Sequence, residues 1–513
     1  MLEFIAFLMR ALLIRISVLM TGQDKGFPSM NSSQSPSEAA GVRLGIGVDF
    51  GTSNSAVAIY DGERIHLVSL ESNNVTMPSA SYIDRQFQVC TGQQAIDTYI
   101  SNNMGRKVEL GVEVLGEGRT STGQTGDEGL PESASTNLIY GQAFVDSGEK
   151  GRLFRGVKRM LGQADVPRLM VFEKAFRLVA LIAPILLRMR EAAQIAVAAR
   201  RPGAAADHAC IGHPVNFEGR DEKHNEVALE RLSEASRYAG FLDQQFYPEP
   251  LAAALSYLQV NPHSRAKTLL AVDFGGGTLD LCILKRAGSS FEVSAIHGVG
   301  LGGDHIDQAV FRELLFPLLG KGEVWRRKGV DREIETQFPF EEYQDLILNW
   351  AISYMLNQNQ YTTPVLQCIE QGGESVPKFK RLYELIKQNY SYLVFQALKD
   401  MKATLSDQDE AVLDIPEIDV TLTLTRGQFE KMISKQLEQF EAAVQETLTR
   451  AGIDAGEIDV VVSTGGSSLI PAVRRSLDAH FPGKVVEHDP FTSVAAGLAI
   501  AEYENKGLSG SSV

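Results

Sequence analysis

Cysteine is scarce in this sequence, which contains four in 513 residues. Cys90, Cys210, Cys282 and Cys368 are scattered, without a C-x-x-C pair and without a histidine at metal-ligand spacing. This pattern indicates neither a zinc site nor a disulfide framework. Unpaired thiols favour a reducing compartment, so we expect the protein in the cytoplasm.

The sequence also has fewer positive than negative residues. It contains 49 lysines and arginines and 64 aspartates and glutamates, which gives a net charge of −15. A nucleic-acid backbone or an anionic membrane surface attracts positive potential, so we expect neither as a general partner. The hydrophobic share of 44% and the charged share of 22% are typical of a soluble globular protein. The length exceeds one ordinary core and predicts two domains or two large lobes.

The sequence has no long, uninterrupted apolar run. Its first twenty residues are apolar but contain a glutamate near the start and two arginines within the run, unlike a secretory signal. The segment is also too short and too charged for a membrane span. A wrongly assigned start, with Met20 or Met30 as the first residue, is an equal alternative to a membrane anchor. We do not expect membrane association.

Residues 1–42 are therefore interpreted as a disordered or wrongly assigned extension. Residues 23–40 are rich in serine, proline, glutamine and glycine, a composition that cannot form a packed core. We expect folded sequence from about Arg43. The apolar stretch 178–187 contains Pro184 and predicts a helix that faces the core.

Two parts of the chain begin in the same way. "RLGIGVDF", "SAVAIYD" and "RIHLVSLE" predict three strands, with a turn at Gly51–Asn54. "TLLAVDF", "LDLCILKR" and "FEVSAIHG" predict three more, with a turn at Gly275–Gly277. An internal repeat of this length indicates two similar lobes rather than a solenoid.

Other segments have simpler patterns. Residues 172–200 and 225–239 predict helices, and residues 322–413 are expected to be mostly helical. Residues 116–136 are polar and rich in glycine, which predicts a surface loop. "VVVSTGGSSLIPAVRRSLDAHF" predicts a strand, a Gly-Gly turn and a helix.

The two glycine turns have a chemical meaning if they act together. Glycines let backbone N–H groups converge into a nest that suits phosphate oxygens. A flanking aspartate needs a cation between itself and phosphate, and Mg²⁺ held largely through water is the simplest one. Two such hairpins on two lobes would grip one polyphosphate from both sides.

A single turn of this kind is more often an ordinary hairpin with an Asx-type hydrogen bond. Two equivalent copies, followed by a third Gly-Gly turn before a helix, favour the phosphate interpretation. "GVGLGG" fits G-x-G-x-x-G but lacks the expected Rossmann context. No G-x-x-x-x-G-K-[ST] sequence occurs, which excludes a P-loop enzyme by motif.

Together these stretches resemble the nucleotide-binding part of the DnaK-type (70-kDa heat-shock) chaperone family, within the actin and sugar-kinase superfamily of ATPases. The resemblance covers roughly residues 43–506 and rests on "GVDFGTSNS", "VKRMLG", "YPEPLAAALSYL", "VDFGGGTLDL" with "GLGGDHID", and "STGGSSLIPAV". It implies an α/β chain with a duplicated actin-like (ribonuclease-H-like) ATPase fold, whose two lobes flank a nucleotide cleft. The implied division is lobe I at 43–264 plus 487–506, lobe II at 265–486, and a disordered tail at 507–513.

The same resemblance implies ATP and Mg²⁺ as cofactors. Asp49 and Asp273 match carboxylates that orient the metal's waters and the attacking water, Lys158 matches a lysine near the γ-phosphate, and Glu249 matches a carboxylate on the metal's waters. The implied catalytic residues are Asp49, Lys158, Glu249, Asp273 and Thr278, with the metal held through water by Asp49, Glu249 and Asp273. The implied nucleotide-binding residues are Gly51, Thr52, Ser53, Gly275, Gly276, Gly277, Gly302, Gly303, Lys402, Ser406, Gly465, Gly466 and Ser467. Pro214 and Arg159 match residues that couple nucleotide state to the rest of the protein, and Asp280 is a second acid of the hairpin with a structural role.

The sequence departs from the family at the adenosine site. Leu469 and Ala403 replace two arginines that sandwich adenine, and Lys399 replaces a glutamate that binds ribose. Losing two stacking cations is expected to weaken adenine binding by ~1–2 kcal/mol, which leaves the base preference open. After "VAAGLAIAEYENKG" only "LSGSSV" follows, so we expect the short YegD-like branch without the peptide-binding β-sandwich.

The expected function is a slow ATP hydrolase that acts as a nucleotide-dependent switch, because lobe closure limits turnover in such proteins. Its partners would be ATP or ADP and an unidentified protein client or co-chaperone. Three alternatives stay open: a small-molecule kinase of the same superfamily, an actin-like filament protein, and a scaffold that binds nucleotide without hydrolysing it.

Overall fold

The computed structural model describes residues 43–72, 74–120, 135–146, 148–172, 174–218, 223–287, 290–328, 332–506 and 508–509. The extension at residues 1–42 lies outside them. Within these ranges, no helix combines the length and apolarity needed to cross a bilayer. All four cysteines are free thiols, and three of them are buried.

The strands of the described residues are β1 (Gly45–Phe50), β2 (Asn54–Tyr60), β3 (Ile65–Leu67), β4 (Thr76–Pro78), β5 (Ala80–Asp84), β6 (Val89–Thr91), β7 (Leu110–Thr120), β8 (Ser135–Asp146), β9 (Gly151–Arg155), β10 (Arg168–Val171), β11 (Lys174–Arg177), β12 (His208–His213), β13 (Asp243–Pro248), β14 (Thr268–Phe274), β15 (Leu279–Ala287), β16 (Ser290–Val299), β17 (Val324–Lys328), β18 (Glu333–Gln337), β19 (Glu410–Ile415), β20 (Val420–Thr425), β21 (Val460–Thr464), β22 (Val485–Glu487) and β23 (Leu508–Ser509).

The α-helices are α1 (Gln93–Asn103), α2 (Leu178–Arg200), α3 (His224–Ala239), α4 (Glu249–Val260), α5 (Gly303–Val310), α6 (Glu341–Leu348), α7 (Asn359–Glu370), α8 (Val376–Lys387), α9 (Ser391–Asp407), α10 (Arg426–Met432), α11 (Ser434–Ala451), α12 (Pro471–His480) and α13 (Ser493–Tyr503). Short 3₁₀ turns include Val157–Met160 and Gly466–Leu469.

Two sheets share one plan. The first has the order β23-β13-β12-β1-β2-β3, with β4 also paired to β2, and the second has the order β16-β15-β14-β21-β22. Each central strand, β1 or β14, has an antiparallel neighbour on one side and a parallel neighbour on the other. The same order occurring twice confirms the predicted duplicated α/β fold and the two predicted three-strand meanders.

Helices α4 and α13 lie between the two sheets. Helix α13 packs its Ala495 and Ala499 on the first sheet, and α4 packs Leu251 and Ala254 on the second. The two helices meet at Gly497, where an added Cβ would lie 1.7 Å from the carbonyl oxygen of Ala252. Small residues therefore permit the close crossing that joins the sheets.

The outer faces are also covered, by α2 and α3 on the first sheet and by α5, α9 and α11 on the second. Burial on both faces accounts for the continuous apolar runs of the central strands. The predicted core-facing helix is confirmed as part of α2, which includes Pro184.

Three helical or loop predictions need correction. Helix α2 begins at Leu178 and not at residue 172, because β11 pairs with β10 just before it. The stretch 322–413 is mostly helical as predicted, but it starts with a hairpin of β17 and β18. Residues 116–120 and 135–136 of the expected loop belong to the paired strands β7 and β8, and 121–134 lie outside the described residues.

The expected disordered tail contains one ordered pair, because Leu508–Ser509 (β23) hydrogen-bonds to the free edge of β13. Residues 507 and 510–513 lie outside the described residues. Apart from β23, the strands of the two large sheets fall on either side of residue 265, and the detailed lobe boundaries stay a prediction.

Candidate functional site

A cavity of about 850 Å³ is lined by residues of both sheets. This volume lies within the ordinary range of ligand sites, about 300–1,000 Å³. Its wall contains all the predicted site residues except two, namely Asp49, Gly51, Thr52, Ser53, Lys158, Glu249, Asp273, Gly275, Gly276, Thr278, Gly303, Lys402, Ser406, Gly465, Gly466 and Ser467. The exceptions are Gly277, which belongs to the second hairpin, and Gly302, where an added Cβ would lie 2.4 Å from the carbonyl oxygen of Gly276.

The two glycine hairpins touch at their tips. They connect β1 to β2 and β14 to β15, and the N–H of Gly275 donates to the carbonyl of Thr278 at 3.0 Å. A Cβ on Gly276 would lie 2.3 Å from Oγ of Ser53, and one on Gly277 would lie 3.1 Å from Oγ1 of Thr52. Glycine is required here because the opposite hairpin fills the space of a side chain.

Two further loops support the second hairpin. At the start of α5, the N–H of Gly303 donates to the carbonyl of Gly275 at 3.1 Å, and the N–H of Asp304 donates to that of Gly276 at 2.8 Å. The hydroxyl of Ser467 also donates to the carbonyl of Gly275 at 2.8 Å. Gly465 has a φ of +83°, and a Cβ there would lie 2.4 Å from the carbonyl oxygen of Phe274 in β14. These contacts fix the hairpin before any ligand arrives.

A buried ion pair lies beneath the hairpins. Nζ of Lys158, on the turn after β9, lies 2.5 Å from Oε1 of Glu249, the first residue of α4. Burial alone would lower the pKa of Lys158, but Glu249 and Asp49 outweigh it and raise that pKa. The lysine therefore stays charged.

Acidic groups outnumber this lysine. Burial, followed by the charge of Glu249, raises the pKa of Asp49 to about 7 and that of Asp280 to about 7. Burial and the neighbouring carboxylates raise the pKa of Asp273 well above its usual value. Asp49 and Asp273 keep some exposure to the cavity, but the surrounding protein removes most of their hydration. The site thus has an excess of negative charge that a cation would relieve.

The acids are spread around the cavity and do not form a cage. In the part of the chain that the structure describes, no three His, Cys, Asp or Glu side chains converge as direct metal ligands. A hard cation here would keep most of its water shell and meet the carboxylates through it.

Asp280 connects the two sheets. Its Oδ1 accepts the N–H of Val215 at 2.9 Å, in the segment that follows β12. Beside it, Pro214 lines the cavity, and Arg159 pairs with Glu218 at 2.6 Å and reaches Asp304 at 3.7 Å. The proposed coupling residues therefore stand where the two sheets meet.

On α9 the wall contains Lys399, Lys402, Ala403 and Ser406. Lys402 lies 2.5 Å from Oδ1 of Asp307, and Lys399 lies 3.4 Å from Oδ1 of Asp304. Burial would raise the pKa of Asp304, but Lys399 and Arg159 outweigh it and lower that pKa. Both lysines are thus held by acids of α5.

Several wall residues had no predicted binding role. The pattern G-G-D-x-x-D in the sequence contained Asp304 and Asp307 and could have indicated them. No sequence signal marks other wall residues, among them Arg155, Phe217, Glu218, Arg474, Arg475, Asp478, Glu487 and Phe491.

Two comparisons with known proteins agree on one family. A sequence model described as Hsp70 protein matches residues 152–324 and 383–503, more than half of the chain. The chain is 25% identical over 462 residues to the heat shock cognate HSP70 protein of Trypanosoma brucei brucei, covering 88% of this chain and 55% of that protein. It is 25% identical over 463 residues to the heat shock 70 kDa protein BIP3 of Oryza sativa subsp. japonica, covering 89% and 56%. The chain therefore spans about half the length of these curated relatives.

Proposed function

This chain belongs to the Hsp70 family, and from that premise we propose that it binds ATP with Mg²⁺ in the cavity, hydrolyses it slowly and acts as a nucleotide-dependent switch. The observation that carries the proposal is the contact between two glycine hairpins from two equivalent sheets. Glycine turns of this kind direct backbone N–H groups at phosphate oxygens, and the two hairpins would do so from both sides of the cavity. Lys158 adds a buried positive charge below them.

The acidic surplus supports a divalent cation. Asp49, Glu249 and Asp273 would hold it through water, since burial and then the charge of the neighbouring carboxylates raise the pKa of the two aspartates. When bound, Mg²⁺ would neutralise phosphate charge and keep these carboxylates ionised.

Hydrolysis then depends on positioning by residues of this chain. Asp49 or Asp273 would orient the attacking water, and either carboxylate, once ionised, can accept its proton. Lys158 and the hairpin N–H groups stabilise negative charge on the transferred phosphoryl group. Thr278, at the end of the second hairpin, supports the phosphate from that side.

The switch follows from where the nucleotide would sit. A ligand held by both hairpins would favour a closed arrangement of the two sheets, and Arg159 with Pro214 would convey this to the surface. Family membership supports a chaperone-type role with a protein client or co-chaperone. The four free thiols support the cytoplasm as its compartment.

The test is calorimetric titration of the purified chain with ATP in Mg²⁺ and again in excess EDTA. We expect saturable binding that is much tighter with Mg²⁺, and slow release of inorganic phosphate. Phosphate transfer to a sugar or another acceptor would favour the kinase alternative instead. Binding without any hydrolysis would favour the scaffold, and no binding would overturn the proposal.

A further inference from the structure

Phe491 is an exposed aromatic side chain inside the cavity. Its side chain is 45% exposed although it lines the wall, and it belongs to the loop between β22 and α13. Among the described residues, no other aromatic ring packs against it. Full burial of a phenylalanine stabilises a protein by about 1.5–3 kcal/mol, so an unburied ring in a cavity leaves energy available for a ligand.

The loop holds Phe491 in place. Its N–H donates to Oδ1 of Asp489 at 3.1 Å, and the carbonyl of Asp489 accepts the hydroxyl of Thr464 at 3.2 Å. The preceding Pro490 accepts the N–H of Gly465 at 3.2 Å. The ring is therefore anchored to the Gly-Gly turn that also supports the second hairpin, and little ordering is needed when a ligand stacks on it.

The ring lies against the Gly-Gly turn, since a Cβ on Gly466 would lie 3.2 Å from Cε1 of Phe491. The cavity wall also contains Leu469 and Ala403, which carry no charge. Neither of these two side chains offers a planar group, whereas the ring of Phe491 does.

The polar side chains that follow the Gly-Gly turn in sequence already have partners. Arg474 pairs with Glu487 at 3.1 Å, and Arg475 pairs with Glu430 at 2.5 Å. The hydroxyl of Ser468 donates to the carbonyl of Gly465 at 2.7 Å. These groups are poorly placed to distinguish one base edge from another.

We propose that Phe491 is the stacking platform for the nucleotide base, and that the site accepts purine nucleotides with little discrimination between adenine and guanine. The inference rests on the proposed nucleotide function. Stacking on a ring tolerates different bases because every base has a π face, and it favours the larger purines. Phe491 thus replaces the charge-based recognition that Leu469 and Ala403 cannot provide.

The experiment titrates wild type, Phe491→Ala and Phe491→Trp with ATP, GTP, UTP and inorganic tripolyphosphate in Mg²⁺. Leu242→Ala, an exposed apolar side chain outside the cavity, is the matched control. We expect wild type to bind ATP and GTP within about threefold of each other, and Phe491→Ala to lose about tenfold for both. Tripolyphosphate affinity should not change. Phe491→Trp should retain purine binding, and its fluorescence should be quenched by the base.

An unchanged ATP affinity in Phe491→Ala would overturn the inference while leaving the phosphate site intact. A preference of wild type for ATP over GTP of about a hundredfold would also overturn it, because that requires reading of the base edge. If wild type bound neither ATP nor tripolyphosphate, the proposed function itself would fall and the inference with it.

Discussion

Lys158 and Glu249 are 91 residues apart in sequence, and their charged groups meet at 2.5 Å in a buried ion pair. The pair joins the turn after β9 to the first turn of α4, beneath both hairpins. Lys158 also offsets part of the charge of Asp49. We therefore expect both the stability of the fold and the proposed hydrolysis to depend on this pair.

Replacing Lys158 with alanine should affect both properties. Removing one partner of a buried pair leaves an uncompensated charge and costs about 3–5 kcal/mol. We also expect single-turnover hydrolysis to fall at least ~100-fold, because a charge at the reacting phosphate is lost. Urea unfolding and quenched-flow measurements check the two effects.

A double variant separates the effect on stability from the effect on hydrolysis. Lys158→Ala with Glu249→Gln removes the orphaned charge, so much of the stability should return while hydrolysis stays low. A double variant whose loss of stability equals the sum of the two single losses would show that the two residues are not coupled.

Asp280 predicts a pH dependence of stability. Burial, followed by Glu249, raises its pKa from 3.8 to about 7 in the folded state. The folded chain then binds the proton more tightly than the unfolded chain, so stability falls as the pH rises from 3.8 to about 7, and the full cost applies above it.

Asp280→Asn cannot ionise and retains an oxygen that can accept the N–H of Val215. The unfolding free energy of Asp280→Asn minus that of wild type should increase by on the order of 2 kcal/mol from pH 5 to pH 8. Urea titrations at the two pH values measure this, with the exposed Asp165→Asn as control. Equal differences at both pH values would refute the assignment.

The contact between the hairpins predicts the effect of one methyl group. In Gly276→Ala the new Cβ would lie 2.3 Å from Oγ of Ser53 and force the tips apart. We expect Mg²⁺-dependent ATP affinity to drop at least tenfold, or ~1.4 kcal/mol. Gly300→Ala is the matched control, because no atom lies within 4 Å of its added Cβ. Equal affinities in the two variants would mean that the hairpins do not act together.

An aromatic cluster joins α1 to α9 near the wall residue Arg155, which donates to the hydroxyl of Tyr392 at 3.2 Å. Trp350 packs against Tyr99 at a centroid distance of 5.8 Å and against Tyr392 at 5.0 Å. Tyr99 is on α1 beside the small β5-β6-β9 sheet, whereas Tyr392 is on α9, which covers the second sheet. We expect that opening of the cleft on this side separates these rings.

Trp350→Ala should therefore accelerate nucleotide release. Each aromatic contact contributes about 0.5–1.5 kcal/mol, so losing two should raise the release rate by roughly tenfold. Stopped-flow displacement of a fluorescent ADP analogue measures the rate, with Trp350→Phe as the conservative control. A rate unchanged in Trp350→Ala would show that the cleft opens without parting this cluster.

The local features of the site were predictable from sequence, because each rests on neighbouring residues. Asp49 and Asp273 each precede a glycine turn, and the pattern of strands around this turn occurs twice in the sequence. That repeat predicted the two equivalent strand orders. Pairs such as Lys158 with Glu249, or Asp280 with Val215, join distant segments, and no local pattern specifies such partners. Phe491 was also missed, because its exposure depends on how a loop without regular structure is anchored to Thr464 and Gly465. The β17–β18 hairpin was missed because long-range packing can override the helical tendency of its surroundings.

The central claim is that two hairpins, a divalent cation and Lys158 together bind and cleave a nucleoside triphosphate. Its most direct test is Mg²⁺-dependent ATP binding with single-turnover hydrolysis on wild type beside Asp273→Ala. Tight binding and slow hydrolysis in wild type, with hydrolysis abolished in Asp273→Ala, is the predicted result. Hydrolysis at the same rate in both proteins, or wild type that does not bind ATP in Mg²⁺, would contradict the account.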